Sequence, residues 1–189
     1  MESPVKETLK EDKAAFEQLY ERYKNRVFNT VLSYVQHKDE AEEVTQDVFI
    51  SVYQSIGQFR QEASISTWIY RIAVTKSLDH LKFRKRKKRF AFLVSIFNKD
   101  SGETVIHPPD FVHPGVVLEN REKSSILFKA IDTLPENQKT AFILARVEGL
   151  SNKEVGEIMD SSVGKIESLL HRARENLRKE LGNFYKNYE

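Results

Sequence analysis

Apolar residues recur at three- and four-residue steps along almost the whole chain, which is the spacing of one helix face and not of a strand. Only seven Gly and five Pro interrupt that period in 189 residues, so the sequence predicts an all-α protein. Phe16, Leu19, Tyr20, Tyr23, Val27, Val31, Leu32 and Val35 give a first helix its core stripe. Ala41, Val44, Val48, Val52 and Ile56 do the same for a second, over about 39–56, which Gly57 ends. A third, from Thr67 to about Arg89 and capped by Ser64 or Ser66, is apolar on two faces. Trp68, Ile69, Ile72 and Ala73 form one face, and Tyr70, Val74, Leu78 and Leu81 the other. A helix apolar on two sides is packed on two sides.

Charge is nearly balanced at +2, so its distribution decides the partners. Residues 82–89 read KFRKRKKR, while residues 37–47 carry Asp39, Glu40, Glu42, Glu43 and Asp47. Residues 98–116 hold three of the prolines and no helical period. They divide the chain into an N-terminal helical domain at about 8–89, a flexible linker at 90–117 and a C-terminal helical domain at 118–185. The absence of cysteine excludes disulfides and thiolate zinc sites, and is compatible with a reducing cytoplasm. No signal peptide is visible in the charged first residues. The longest nearly apolar run, Phe90 to Phe97, is too short to cross a bilayer, so no stable membrane insertion is expected. It is also unusually apolar for a linker, as though it extended the preceding helix or docked on a partner.

Three constellations carry chemistry. Along the second helix, Asp39, Glu40, Glu43 and Asp47 share a face with Ile50. Acids in a first turn suit the helix dipole. Asp47 lies beyond its reach, and an acidic face with an apolar centre suits docking of a basic partner helix. Arg71, Thr75, Asp79 and Lys82 lead into the basic run. Arg71 and Asp79 are equally readable as internal ion-pair partners, and the run as a solvated tail. Seven cations in two turns nevertheless repel one another, and phosphates relieve that repulsion. Phe59, Trp68 and Tyr70 beside this path suit stacking on unpaired bases, although Trp68 taken alone reads as core. Finally, Ser151 and Glu154 form a capping box opening a short helix at Asn152, Asp160 to Ser162 break it, and a second helix runs from Val163 to about Leu181. That is helix-turn-helix spacing. The second helix has an apolar stripe of Val163, Ile166, Leu170, Ala173, Leu177 and Leu181. Its opposite face carries Gly164, Lys165, Ser168, His171, Arg172 and Glu175, with Arg178 and Lys179 placed for phosphates.

Two segments resemble a known family. DEAEEVTQDVFISVYQSIGQFR followed by STWIYRIAVTKSLDHLKFRKRK is similar to region 2 of the extracytoplasmic-function (ECF) group of bacterial sigma factors. TLPENQKTAFILARVEGLSNKEVGEIMDSSVGKIESLLHRARENLRK resembles region 4 of the same group. The resemblance implies a dissociable RNA polymerase subunit in the bacterial cytoplasm, with no catalytic residues, metal or cofactor of its own. Its partners would be core RNA polymerase (the β′ clamp helices and the β flap), promoter DNA and an anti-sigma factor that can hold it near the membrane. Asp39, Glu40, Glu43, Gln46, Asp47, Ile50 and Tyr53 would bind core polymerase. Phe59, Arg60, Ser66, Thr67, Trp68, Arg71, Thr75, Lys76, Lys82, Arg84 and Lys85 would read and open the −10 element. Ser162, Gly164, Lys165, Ser168, His171, Arg172 and Lys179 would meet the −35 element. The chain departs from the family's frequent pattern at Thr75, often Asn, and in its recognition helix, where Glu167 and Leu169 replace basic residues. The usual −35 preference is therefore not carried over. A stand-alone helix-turn-helix regulator is the alternative, but it leaves the acidic face and the Trp68 to Arg89 arrangement without a use. A hydrolase using Glu40, Glu43 and Asp47 as metal ligands lacks a facing histidine, because His37, His80, His107, His113 and His171 are scattered.

Overall fold

The computed structural model describes residues 13–59, 63–97 and 121–186, which form seven helices and no strand. Helices α1 (Lys13–Val35), α2 (Lys38–Ser55) and α3 (Ile65–Phe97) make an N-terminal bundle in which each packs on the other two. Helices α4 (Arg121–Asp132), α5 (Glu136–Phe142, continued by a π turn over Ile143–Val147), α6 (Asn152–Ile158) and α7 (Val163–Lys186) make a C-terminal bundle around α7. The buried stripes of α1 and α2 are nearly the expected ones, with Val27, Val31, Val44, Val48 and Val52 at 2 % exposure or less.

Four expectations need correction. Tyr20 is 38 % exposed, its ring edge-on to Phe49 at 4.8 Å, so it lies at the core's rim. Ser64, not Ser66, caps α3: its Oγ accepts the Thr67 amide at 3.0 Å, so the helix opens at Ile65. Helix α3 then runs past Arg89 to Phe97, since residues 82–97 hold no Gly or Pro and many strong helix formers. Val163 is 43 % exposed; as the first residue of α7 it lies over the turn before it rather than over the core. The expected linker from residue 98 onward lies outside the described residues.

The two bundles touch. Helix α3 packs on α6, and α1 packs on the π turn. Polar side chains reach across to helix carbonyls. The Gln36 Nε2 donates to Phe128 O at 3.0 Å, and the Lys139 ammonium approaches Tyr34 O at 3.4 Å. Lys139 also lies 5.6 Å over the Tyr34 ring and pairs with Asp132. Arg71 Nε donates to Glu157 O at 3.0 Å. Helix C-terminal carbonyls carry partial negative charge, so cationic donors are favoured there. Gln36 ends α1 with φ of 56°, a left-handed conformation that costs a side chain about 1 kcal/mol. Its hydrogen bond to Phe128 offsets that cost.

Candidate partner and nucleic-acid interfaces

Helix α2 shows its acidic face to solvent as the spacing requires. Asp39, Glu43, Gln46, Asp47, Ile50 and Tyr53 are all exposed, Ile50 at 53 % and Tyr53 at 49 %. Tyr53 is held by an edge contact with Phe16, with ring centroids 5.1 Å apart. Glu40 is turned inward. Its Oε2 meets His80 Nε2 at 2.9 Å and accepts from Arg84 Nη1 at 3.0 Å, tying α2 to α3. Burial alone would raise the Glu40 carboxyl, but the His80 hydrogen bond and the Arg84 charge outweigh it and hold the group below 4.5. Glu40 and Arg84, expected at different interfaces, are thus each other's partners. Arg84 also donates to Val35 O at 3.2 Å.

The expected −10 residues fall into two sets. Phe59 and Trp68, both half-buried, pack with ring centroids 5.2 Å apart and planes tilted by 42°, which joins the start of α3 to the turn after α2. Arg60 lies outside the described residues. Thr67 is buried, its hydroxyl 2.9 Å from Ser64 Oγ and 3.4 Å from Glu157 Oε2. Ser66 and Lys76 are half-buried. Arg71 and Thr75 line a cleft of about 440 Å³ between the bundles, closed by Asn137 and Thr140 on α5 and by Met159 and Asp160 beyond α6. Lys82 lies 3.9 Å from Glu136 across the same seam. Beyond it, Lys85, Arg86, Lys87, Lys88 and Arg89 are exposed, and Lys82, Lys85, Arg86 and Arg89 share one side of α3 with Asp79.

The helix-turn-helix forms as its local signals predict. Ser151 Oγ accepts the Glu154 amide at 3.3 Å, and the Glu154 carboxylate accepts the Ser151 amide at 2.8 Å. The Ser151 hydroxyl also donates to that carboxylate at 2.7 Å, and this bond, with the one from the Ser151 amide, holds the Glu154 carboxyl below its usual value. The turn is tight because Gly156 lies under it: a Cβ there would stand 2.7 Å from Ser161 O. Asp160 takes φ of 48° to make the reversal. Ser162 caps α7, its Oγ accepting the Lys165 amide at 3.3 Å, so its side chain has a structural task before any DNA contact. Gly164, Lys165, Glu167, Ser168, His171, Arg172 and Lys179 all face solvent, while Ile166, Leu170, Ala173 and Leu177 are buried. Leu169 is half-buried against the core edge. The geometry gives a polar, cationic ridge projecting from a braced pair of helices, which is the shape that enters a major groove.

Four residues of the seam were not singled out from the sequence: Gln36, Lys139, Glu148 and Glu157. Their partners lie 86 or more positions away where a bond is direct, so no spacing announces them. Among the described residues, no group of three His, Asp or Glu side chains is placed to hold a metal ion, and no helix is long and apolar enough to cross a membrane.

Comparison with known proteins accounts for both halves. Sigma-70 region 2 matches residues 19–87, and Sigma-70 region 4 matches residues 124–177. The ECF RNA polymerase sigma-E factor of Haemophilus influenzae is 35 % identical over 170 residues, covering 90 % of this chain and 89 % of that protein. The RNA polymerase sigma-H factor of Pseudomonas aeruginosa is 30 % identical over 181 residues, covering 94 % and 91 %. Among solved structures, the sigma factor RpoE of Bartonella quintana, bound to the anti-sigma factor NepR, superposes with a TM-score of 0.64 at 22 % identity, over 88 % of this chain and 96 % of that one. CnrH, in complex with the cytosolic domain of CnrY, gives the same score at 19 % identity, over 91 % and 90 %. With its two regions in order, its helix-turn-helix and this coverage, the chain belongs to the ECF family of RNA polymerase sigma factors.

Proposed function

We propose a division of labour for a sigma factor that binds core RNA polymerase and directs promoter-specific initiation. Helix α2 docks on the β′ clamp helices through Asp39, Glu43, Gln46, Asp47, Ile50 and Tyr53. The observation that carries this is the solvent-facing Ile50 inside an acidic face, which gains nothing in the chain alone. The start and outer face of α3, from Phe59 through Lys85, read and open the −10 element, aromatics stacking on unpaired bases and cations on phosphates. The polar ridge of α7 reads the −35 element, with the C-terminal bundle against the β flap. The functional units are two helical domains, the first expected at 8–89 and lengthened by α3 to Phe97, the second at 118–185, with the residues between them threading the polymerase. A stand-alone regulator is not favoured by the family, and would have no use for the α2 face.

Glu40 and Arg84 act within the fold in this scheme, linking the docking helix to the promoter helix. The sigma factor RpoE, solved with the anti-sigma factor NepR, supports an anti-sigma partner here too. The chain works in the cytoplasm with its polymerase, near the membrane whenever that partner is anchored there. The test is transcription with purified core polymerase. Promoter-specific starts should appear when the chain is added and be lost with Asp47→Lys, the variant keeping its helicity. Unchanged start sites, or duplex binding that needs no polymerase, would refute the scheme.

A further inference from the structure

The seam between the bundles contains one acid that neither the fold nor the proposed contacts require. Glu148 ends the π turn and points into the face of the N-terminal bundle. There its carboxyl meets the hydroxyl of Thr30, which is fully buried. That hydroxyl already donates to Arg26 O at 2.9 Å, so it has no second proton to give. The Glu148 Oε1 is buried and left without a hydrogen-bond partner among the described residues. A carboxylate gains little from such a site, whereas a neutral carboxylic acid can donate its proton to a free lone pair of Thr30.

We propose that Glu148 is a proton-operated latch: in its neutral form it seats the C-terminal bundle against α1 and α3, and loss of the proton releases the bundle. From α1, Arg26 favours the anion and is the one cation acting on Glu148 among the described residues; Tyr23 and Tyr34 belong to the same face. From α3, Tyr70 faces it, a phenol pushed up to about 12 mainly by burial and so neutral across the relevant range. Within its own bundle, Glu136 and Glu154 lie near these phenols, and Lys139 is committed to Asp132 and the Tyr34 ring. Burial, the largest influence, outweighs the Arg26 charge and pushes the Glu148 carboxyl from 4.5 up to about 7.

Release matters because the closed seam occupies promoter-reading groups. Thr67 is buried against Glu157, and Arg71 is bound to its carbonyl. The sign follows from linkage. A carboxyl raised in the closed state and ordinary in the open one favours closure in acid, and that preference is lost as pH rises through about 7. Between pH 5.5 and 8, the shift from 4.5 to about 7 lowers the closed-to-open ratio roughly 30-fold.

The whole chain, which has no cysteine, accepts a dye pair at two exposed lysines, Lys38→Cys on α2 and Lys153→Cys on α6. Energy transfer between the dyes should fall as pH rises from 5.5 to 8, with circular dichroism constant. Adding Glu148→Gln, which keeps a donor for Thr30 but cannot ionise, should hold transfer high at every pH. Transfer that is flat in the parent pair, or that titrates equally in the Gln variant, would overturn the proposal. If the variant does not fold, carbon NMR of the Glu148 carboxyl in the unsubstituted chain decides, a midpoint near 7 supporting the latch and one near 4.5 removing it. No polymerase enters these measurements, so their failure is separable from failure of the docking scheme.

Discussion

Replacing Ile50 by alanine isolates the docking scheme from the fold. Complete burial of an isoleucine side chain is worth ~1.5–3 kcal/mol. Ile50 retains 53 % of its surface in water, so docking has about half of that still to gain, ~1 kcal/mol. The dissociation constant for core polymerase should therefore rise about fivefold. Stability should not fall, because the outward-facing side chain contributes little to packing and alanine is the better helix former. The assay is fluorescence anisotropy of the labelled chain titrated with core enzyme, beside thermal unfolding of the free variant. Unchanged affinity at unchanged melting temperature would mean that polymerase does not cover this residue. A lowered melting temperature would mean that Ile50 serves the bundle.

Gly156→Ala should cost roughly 1–3 kcal/mol in thermal unfolding, since the added methyl meets the Ser161 carbonyl at 2.7 Å and only backbone can yield; an unshifted melting curve would mean that the turn is slack. Gly164→Ala meets nothing within 4 Å, so the fold should hold while −35 binding weakens; full promoter affinity would place Gly164 off the DNA. Arg172→Ala should leave stability alone and weaken −35-dependent binding by about 1–3 kcal/mol if the guanidinium reads guanine in two-pronged fashion, as seen by competition between matched and mismatched promoters. Glu40→Gln should lower stability near neutrality by about 1 kcal/mol, through loss of the charge on its contacts with His80 and Arg84. Because Glu40 titrates below its unfolded value, it stabilises the fold above 4.5. The gap between parent and variant in urea unfolding should therefore close as pH falls through the folded value.

Local features were the legible ones. The capping box at Ser151 and Glu154, the break at residues 160–162 and the alternation of α7 each depend on residues within a turn or two, and they fold as the spacing says. The exposed face of α2 was legible for the same reason. The inward pairing of Glu40 was not legible because a helical wheel shows only angle, and not that α3 lies close enough on that flank to claim the side chain. His80 and Arg84, four apart and both able to hold a carboxylate, were the available sign. The length of α3 was obscured by charge: a basic run reads as tail or linker, yet Lys and Arg are good helix formers. The seam was not legible, since its donors meet peptide carbonyls, which every residue has.

That last property has a hereditary consequence. Gln36, Arg71 and Lys139 each give a proton to, or lie against, a main-chain oxygen of the other bundle. No substitution at Phe128, Glu157 or Tyr34 deletes the oxygen it contributes. As far as these bonds are concerned, mutations that pry the bundles apart should therefore fall on the giving side, and recipients should register in a screen for unlocked variants only through what their own side chains pack against.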